Sequence, residues 1–282
     1  MTLAAPHSLA PLLKIDEATV VKGQKKLLDG LSLEIAEGQH TAILGPNGAG
    51  KSSLIKLITR QHYPLMRKDG QPTVTIFGRS RWDVFQLRSL MGIVSSELQQ
   101  TFTTGDATRG LDAVISGLFA SKGVAPHHKV TSAMRERAES LLTQLQAEYL
   151  AERTLETMST GEARRILIAR ALMPQPRALL LDEPTTGLDI VARQRFLETL
   201  RGIARGGTTV ILVTHHVEEI LPEIERVMLL REGRIFLDGT KTEMMHSAHL
   251  SATFGAPITV QTNEDYYSAE VALSAAKAPT KP

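Results

Sequence analysis

Apolar positions along the chain recur with two periods. Residues 13–21 and 27–35 are short β-prone runs, punctuated by turn signals at Gly23 and Asp29-Gly30. Residues 40–44 read as a buried strand that feeds a glycine-rich loop. Leu54, Ile55, Leu57 and Ile58 then share one helix face, and residues 74–77 read as another strand. Between Glu97 and Thr157 the strand signals stop. Residues 131–149 are charged and helical, with Met134, Ala138, Leu141, Leu142 and Leu145 near one face, and Gly105, Gly110, Gly117, Gly123 and Pro126 break the stretch before them. Alternation returns with a strand at 178–181, a helix at 190–204, a strand at 208–214, a short helix at 217–221, and strands at 226–230 and 234–237.

Alternating β and α units with continuously apolar strands predict an α/β fold built on a mainly parallel sheet covered on both faces. The two opening strands predict an N-terminal antiparallel β subdomain. The division expected is a flexible arm at 1–12, a main domain at 13–240 with a helical subdomain inserted at 97–157, and a C-terminal extension at 241–282. The end of that extension, 269–282, is rich in alanine, serine, lysine and proline and reads as disordered.

Composition narrows the function classes. With 42% hydrophobic and 22% charged residues the chain is globular in character. A net charge of +2 is too small to draw the chain to nucleic acid or an anionic membrane, so no nucleic-acid partner is expected. The absence of cysteine excludes disulfides and thiolate metal sites. No apolar run approaches the roughly 20 residues that span a bilayer, and the first residues lack the basic start of a secretory signal. A cytoplasmic location follows, and work at a membrane would require another chain.

The chemistry begins at Gly45-Pro46-Asn47-Gly48-Ala49-Gly50-Lys51-Ser52-Ser53, a match to G-x-x-x-x-G-K-[ST] placed between a strand and a helix. Backbone N–H groups of such a loop curl around phosphate oxygens where a Cβ would collide, and the helix behind it points its positive end at the same anion. Lys51 adds a charge near the β and γ phosphates, and the Ser52 hydroxyl can ligate Mg²⁺. Far downstream, the strand at 178–181 ends in Asp182-Glu183. A carboxylate at the carboxyl edge of an α/β sheet suits Mg²⁺, which assigns Asp182 to the metal, and the adjacent Glu183 can polarise a water that attacks the γ-phosphate. His127-His128 has no third ligand type nearby and makes no metal site.

Preceding that strand is Ser159-Thr160-Gly161-Glu162, which opens a basic helix. Ser159 and Glu162 have the spacing of a capping box. Taken together, these segments resemble an ABC-type ATPase domain over about residues 13–239. Gly45 to Ser53 match its Walker A, Ser159 and Gly161 its signature, Asp182 and Glu183 its Walker B and catalytic glutamate. Gly187-Leu188-Asp189 resembles its D-loop, and His215 its switch histidine, with His216 as an adjacent alternative.

Three positions depart from the family pattern. Thr160 and Glu162 stand where the signature usually has glycine and glutamine. No ring is available for adenine stacking at Val21-Lys22, which leaves Lys22 to lay its stem and charge over the base. Serine occupies the usual Q-loop glutamine position in Gly92-Ile93-Val94-Ser95-Ser96. Gln99, followed by Gln100, is then either the loop residue that reaches Mg²⁺ or part of a polar entry to the helical insert.

The resemblance implies a phosphate-loop nucleotidase core, ATP and Mg²⁺ as ligands, and ATP hydrolysis between two copies packed head to tail. In each site Ser159, Gly161 and Asp189 serve the ATP held by the other copy's phosphate loop. It further implies separate transmembrane permease subunits that meet the helical insert, a peripheral place on the cytoplasmic membrane face, and import rather than export. A soluble ATPase acting on ribosomes, DNA or a regulatory complex is the alternative. The single cassette and the lack of sustained heptads or a basic stripe speak against it.

Overall fold

A computed structural model describes residues 11–104 and 107–272. β1 (Pro11–Lys22) and β2 (Lys25–Ala36) form the antiparallel hairpin that the opening apolar runs predict, with Leu13 opposite Ile35 and Ile15 opposite Leu33. β3 (Thr41–Leu44) leads into the glycine loop and α1 (Lys51–Ile58), and β4 (Val74–Ile76) returns to pair with β1. α2 (Val84–Leu90) and β5 (Met91–Val94) follow. The sequence reading contains neither, because α2 has seven residues and β5 four, and Gly92 interrupts the short apolar run.

The next segment is helical, as its loss of strand signals predicts. It comprises α3 (Ser96–Thr103), α4 (Gly110–Ile115), α5 (Ser132–Gln144) and, after two short 3₁₀ turns, α6 (Thr160–Leu172). Gly105 lies outside the described residues. β6 (Ala178–Asp182), α7 (Ile190–Arg205), β7 (Thr209–Thr214), β8 (Arg226–Arg231) and β9 (Arg234–Thr240) complete the main sheet.

The sheet runs β5-β6-β7-β3-β8-β9, parallel except for the β8–β9 pair at one edge. Successive side chains of a strand point to opposite faces, and here both faces are covered. Leu44, Leu181, Leu212 and Leu229 join the core under α6 and α7. Ile43, Leu180, Ile211 and Met228 join a second core with α1 and the β2-β1-β4 sheet. That two-sided burial explains why the strands read as unbroken apolar runs rather than alternating ones.

The C-terminal segment departs from expectation. α8 (Lys241–Met244) and α9 (Ser247–Phe254) are followed by a hairpin of β10 (Ile258–Asn263) and β11 (Tyr266–Val271). Ala269, read as the start of a disordered end, pairs with Val260 in that hairpin, and both pack on the main core with Tyr267. Arg201 on α7 donates to the Tyr266 hydroxyl at 2.9 Å, which donates to Glu198 at 3.0 Å. The small alanine and serine residues are strand residues here because tertiary docking supplies what their weak β propensity does not. The remaining positions, 273–282, lie outside the described residues, as do residues 1–10 of the expected arm; Pro11 and Leu12 of that arm belong to β1. Among the described residues no helix is long and apolar enough to cross a membrane.

Candidate functional site

The glycine loop turns between β3 and α1 with Gly50 as N-cap at φ 111°, a left-handed conformation that favours glycine. Ala49 donates its N–H to the Pro46 carbonyl at 3.1 Å, and its own carbonyl accepts from Gly233 at 2.8 Å. The β8–β9 turn thus holds the loop from outside, and Gly233 also accepts from Asp29 of β2 at 3.1 Å. Gly45 leaves no room for a Cβ, which would lie 2.3 Å from the Leu230 carbonyl oxygen. The loop opens on a cavity of about 520 Å³ whose wall includes Asn47, Gly48, Gly50, Lys51, Ser52, Ser53 and Glu183.

Lys51 is buried in that wall. Its ammonium donates to Gly45 O at 2.8 Å and Pro46 O at 3.1 Å and lies 3.8 Å from Glu183 Oε1. Burial pulls its pKa down, and the charges of Glu183 and Asp182 oppose that pull. Glu183 Oε1 also meets His215 Nδ1 at 2.8 Å. β6 ends beside β7, whose Val213 carbonyl accepts the Glu183 N–H at 2.8 Å, so two adjacent strand ends deliver the glutamate and the histidine to one point. His215 is the residue so placed; the His216 ring lies beside it, tilted by 37°, at a centroid distance of 3.9 Å. Asp182 is half-buried at the end of β6. Burial, with the Glu183 charge in second place, raises its pKa to about 6 against the pull of Lys51 and Arg164.

α6 begins at Ser159, whose Oγ accepts from Glu162 N at 3.3 Å while Glu162 Oε2 accepts from Ser159 N at 2.8 Å. The capping box is therefore formed. Glu162 also holds Arg153 at 2.9 Å, so its carboxylate is turned back on the preceding turn. Burial raises the Glu162 pKa, but the Ser159 bonds and Arg153 outweigh it and the net shift is down. Gly161 packs on Leu188. Asp189 caps α7 by accepting from Ala192 N at 2.8 Å, and beside it Ile190 and Val191 are 77% and 59% exposed. Ser159, Gly161 and Asp189 do not line the phosphate-loop cavity of their own chain.

A family model described as "ABC transporter" matches residues 28–186. The chain belongs to the ABC transporter ATP-binding family. It is 36% identical over 258 residues to the uncharacterized ABC transporter ATP-binding protein YlmA of Bacillus subtilis, covering 90% of this chain and 95% of that one. It is 30% identical to a hemin import ATP-binding protein of Photobacterium damselae subsp. damselae, over 92% of this chain and 94% of that one. The structure of a putative metal-chelate type ABC transporter in an inward-facing conformation matches with a TM-score of 0.73 at 25% identity, over 94% and 97% of the two chains. A dimeric bacterial ABC transporter cassette, at TM-score 0.67 and 24% identity, covering 81% of this chain and 98% of that one, shares the fold. This chain is an ABC ATPase.

Two of the assigned residues, Gln99 and Lys22, sit apart from the Ser52–Asp182 edge and the phosphate-loop cavity. Gln99 lies on α3, not in a loop, and is buried. Its amide donates to Thr160 O at 2.9 Å and accepts from Arg164 Nε at 3.0 Å, so both ends of the side chain are engaged away from Ser52 and Asp182. Ser95 caps α3 through Leu98 N at 3.2 Å; with Ser96 it shares a cavity wall with Ser52 and Asp182. Lys22 is exposed at the end of β1 and does not line the phosphate-loop cavity, whereas Lys25, Lys26 and Leu27, across the turn, do. The hairpin register decides this, and residue type alone does not. Glu232 and Gly233 of the β8–β9 turn also line it, and no local sequence signal marks them.

For a small divalent cation the chain offers the Ser52 hydroxyl and the Asp182 carboxylate, hard oxygen donors on one cavity wall. The raised pKa of Asp182 shows that desolvation and Glu183 disfavour its ionised form, which a cation would favour. No group of three or more His, Cys, Asp or Glu residues among the described residues is arranged to hold a metal unaided. These residues fit Mg²⁺ that takes its other ligands from phosphate and water.

Proposed function

We propose that this chain is the ATP-hydrolysing subunit of an importer, acting as a head-to-tail pair on the cytoplasmic face of the membrane against separate membrane-spanning subunits. ATP lies along the loop from Gly45 to Ser53, with backbone N–H groups and the α1 N-terminus directed at its phosphates. Ser52 and Asp182 would hold Mg²⁺, which would neutralise charge on the phosphates. Glu183 orients the attacking water and accepts its proton, and His215 fixes the glutamate carboxylate through the 2.8 Å contact. Lys51 stabilises charge on the transferred phosphoryl group. Ser159 and Gly161, with the α6 N-terminus behind them, serve the ATP of the partner copy, and Asp189 lies at the same interface.

The observation that carries the transport reading is a groove of about 620 Å³ that starts at Ser52 and Asp182 and runs out between α1, α2 and α3. Val84, Leu87 and Leu98 make it apolar, and Arg60 and Arg88 make it basic. A cytoplasmic helix of a permease seated there would touch the catalytic edge directly, which couples ATP closure to movement of a second chain. The import direction draws on the hemin import relative.

The test is purification from detergent-solubilised membranes of the source cell with a tag on this chain. An integral membrane protein should co-purify in stoichiometric amount, and Leu98→Arg in the groove should release it. Stable association with ribosomes or DNA and none with a membrane protein would overturn the transport reading.

A further inference from the structure

The backbone of Glu183 has φ 46°, a left-handed conformation that a non-glycine residue adopts only when its surroundings over-determine it. Those surroundings can be named. Arg164, on α6 and 3% exposed, donates through Nη1 to the carbonyls of Glu183 at 3.0 Å, Pro184 at 2.7 Å and Thr186 at 3.3 Å. Its Nε donates to Gln99 at 3.0 Å, which fixes the guanidinium plane. From the other side Glu219, fully buried, accepts from Thr185 N at 3.1 Å and from the Thr185 hydroxyl. Three of the four carbonyls from Glu183 to Thr186 are thus held by the buried guanidinium of Arg164, and the Thr185 N–H by the buried Glu219 carboxyl group.

We propose that Arg164, oriented by Gln99 and opposed by Glu219, is a positioning residue that clasps this segment and keeps the Glu183 backbone left-handed. That conformation aims the Glu183 carboxylate at His215 and Lys51. The proposal rests on the reading of Glu183 as the group that orients the attacking water. A guanidinium suits the task because its donors are fixed in a plane and cannot be lost by deprotonation. Gln99 acts through Arg164.

The experiment compares Arg164→Ala, Arg164→Lys and Gln99→Ala, each alone and combined with Glu183→Gln, by single-turnover hydrolysis of Mg²⁺-ATP and by nucleotide affinity. Arg164→Ala should lower turnover about a hundredfold, the loss that a misplacement near 1 Å brings, with ATP affinity unchanged. Arg164→Lys should recover part of the rate, and Gln99→Ala should lose about tenfold on the same logic. On top of Glu183→Gln, none of the three should slow the reaction further, because their effect passes through that carboxylate. If Arg164→Ala does not fold, the lysine and Gln99 variants carry the test. Wild-type turnover in both of those, or an undiminished loss in the Glu183→Gln background, would overturn the clasp. Wild-type turnover in Glu183→Gln alone would instead remove the reading beneath it.

Discussion

Asp182 carries the clearest electrostatic consequence at the scale of single residues. Its carboxyl keeps a proton up to about pH 6 in the folded chain, against an ordinary value of 3.8. Between those values the folded chain binds more protons than the unfolded one, so stability falls as pH rises through the window. The contribution is at most ~3 kcal/mol. Thermal unfolding of the protein without Mg²⁺ and of Asp182→Asn, followed from about pH 4 to about pH 7, should show the first losing stability relative to the second. A difference independent of pH would show that burial does not govern this carboxylate. Adding Mg²⁺ and ATP should recover the loss above pH 6, and the apparent Mg²⁺ affinity should weaken below it, where a proton competes for the same oxygens.

Two glycines separate packing from function at the scale of elements. A methyl group at Gly45 would meet the backbone oxygen of Leu230 on β8 at 2.3 Å, and strands cannot part without breaking their ladder. Gly45→Ala should therefore destabilise the fold by about 2–3 kcal/mol, measured by denaturant unfolding. At Gly161 the nearest atom is Leu188 Cδ2 at 2.6 Å, the far end of a flexible side chain. Gly161→Ala should cost less than about 1 kcal/mol yet depress ATPase activity strongly, because the α6 N-terminus can no longer approach a phosphate. Equal stability losses in the two variants would contradict this division. The capping box at the same helix end commits the Glu162 charge to Ser159 N and Arg153, which turns it away from the proposed phosphate contact.

For the whole molecule, the separation of Ser159 and Gly161 from their own chain's phosphate-loop cavity predicts that one copy binds ATP but hydrolyses it poorly. Initial ATPase rate should rise more steeply than linearly with protein concentration until the pair saturates. Glu183→Gln should accumulate an ATP-bound dimer on size-exclusion chromatography with turnover nearly abolished. Linear rates down to the lowest measurable concentration, with a monomeric Glu183→Gln variant, would exclude shared sites.

The sequence alone determined the features whose physics is local. The apolar run from Ala178 to Leu181, bounded by Arg177 and Asp182, reads as a buried strand and is one, and the glycine loop sits between a strand and a helix as its spacing predicts. That Asp182, Glu183, Lys51 and His215 come together could be expected because each sits at a strand end or helix start next to such a signal. Only the tertiary structure decided which distant side chains meet. Gln99 faces Arg164 rather than Ser52 because α3 is a helix packed on α6. Lys25 and Lys26 line the loop cavity in place of Lys22 because hairpin register turns them there. The C-terminal residues up to Ala272 are ordered because Tyr266, Tyr267 and Val260 find partners on α7 and the core. The Gln99–Arg164 and Arg201–Tyr266 contacts each join residues 65 positions apart, and no local pattern of residues encodes them.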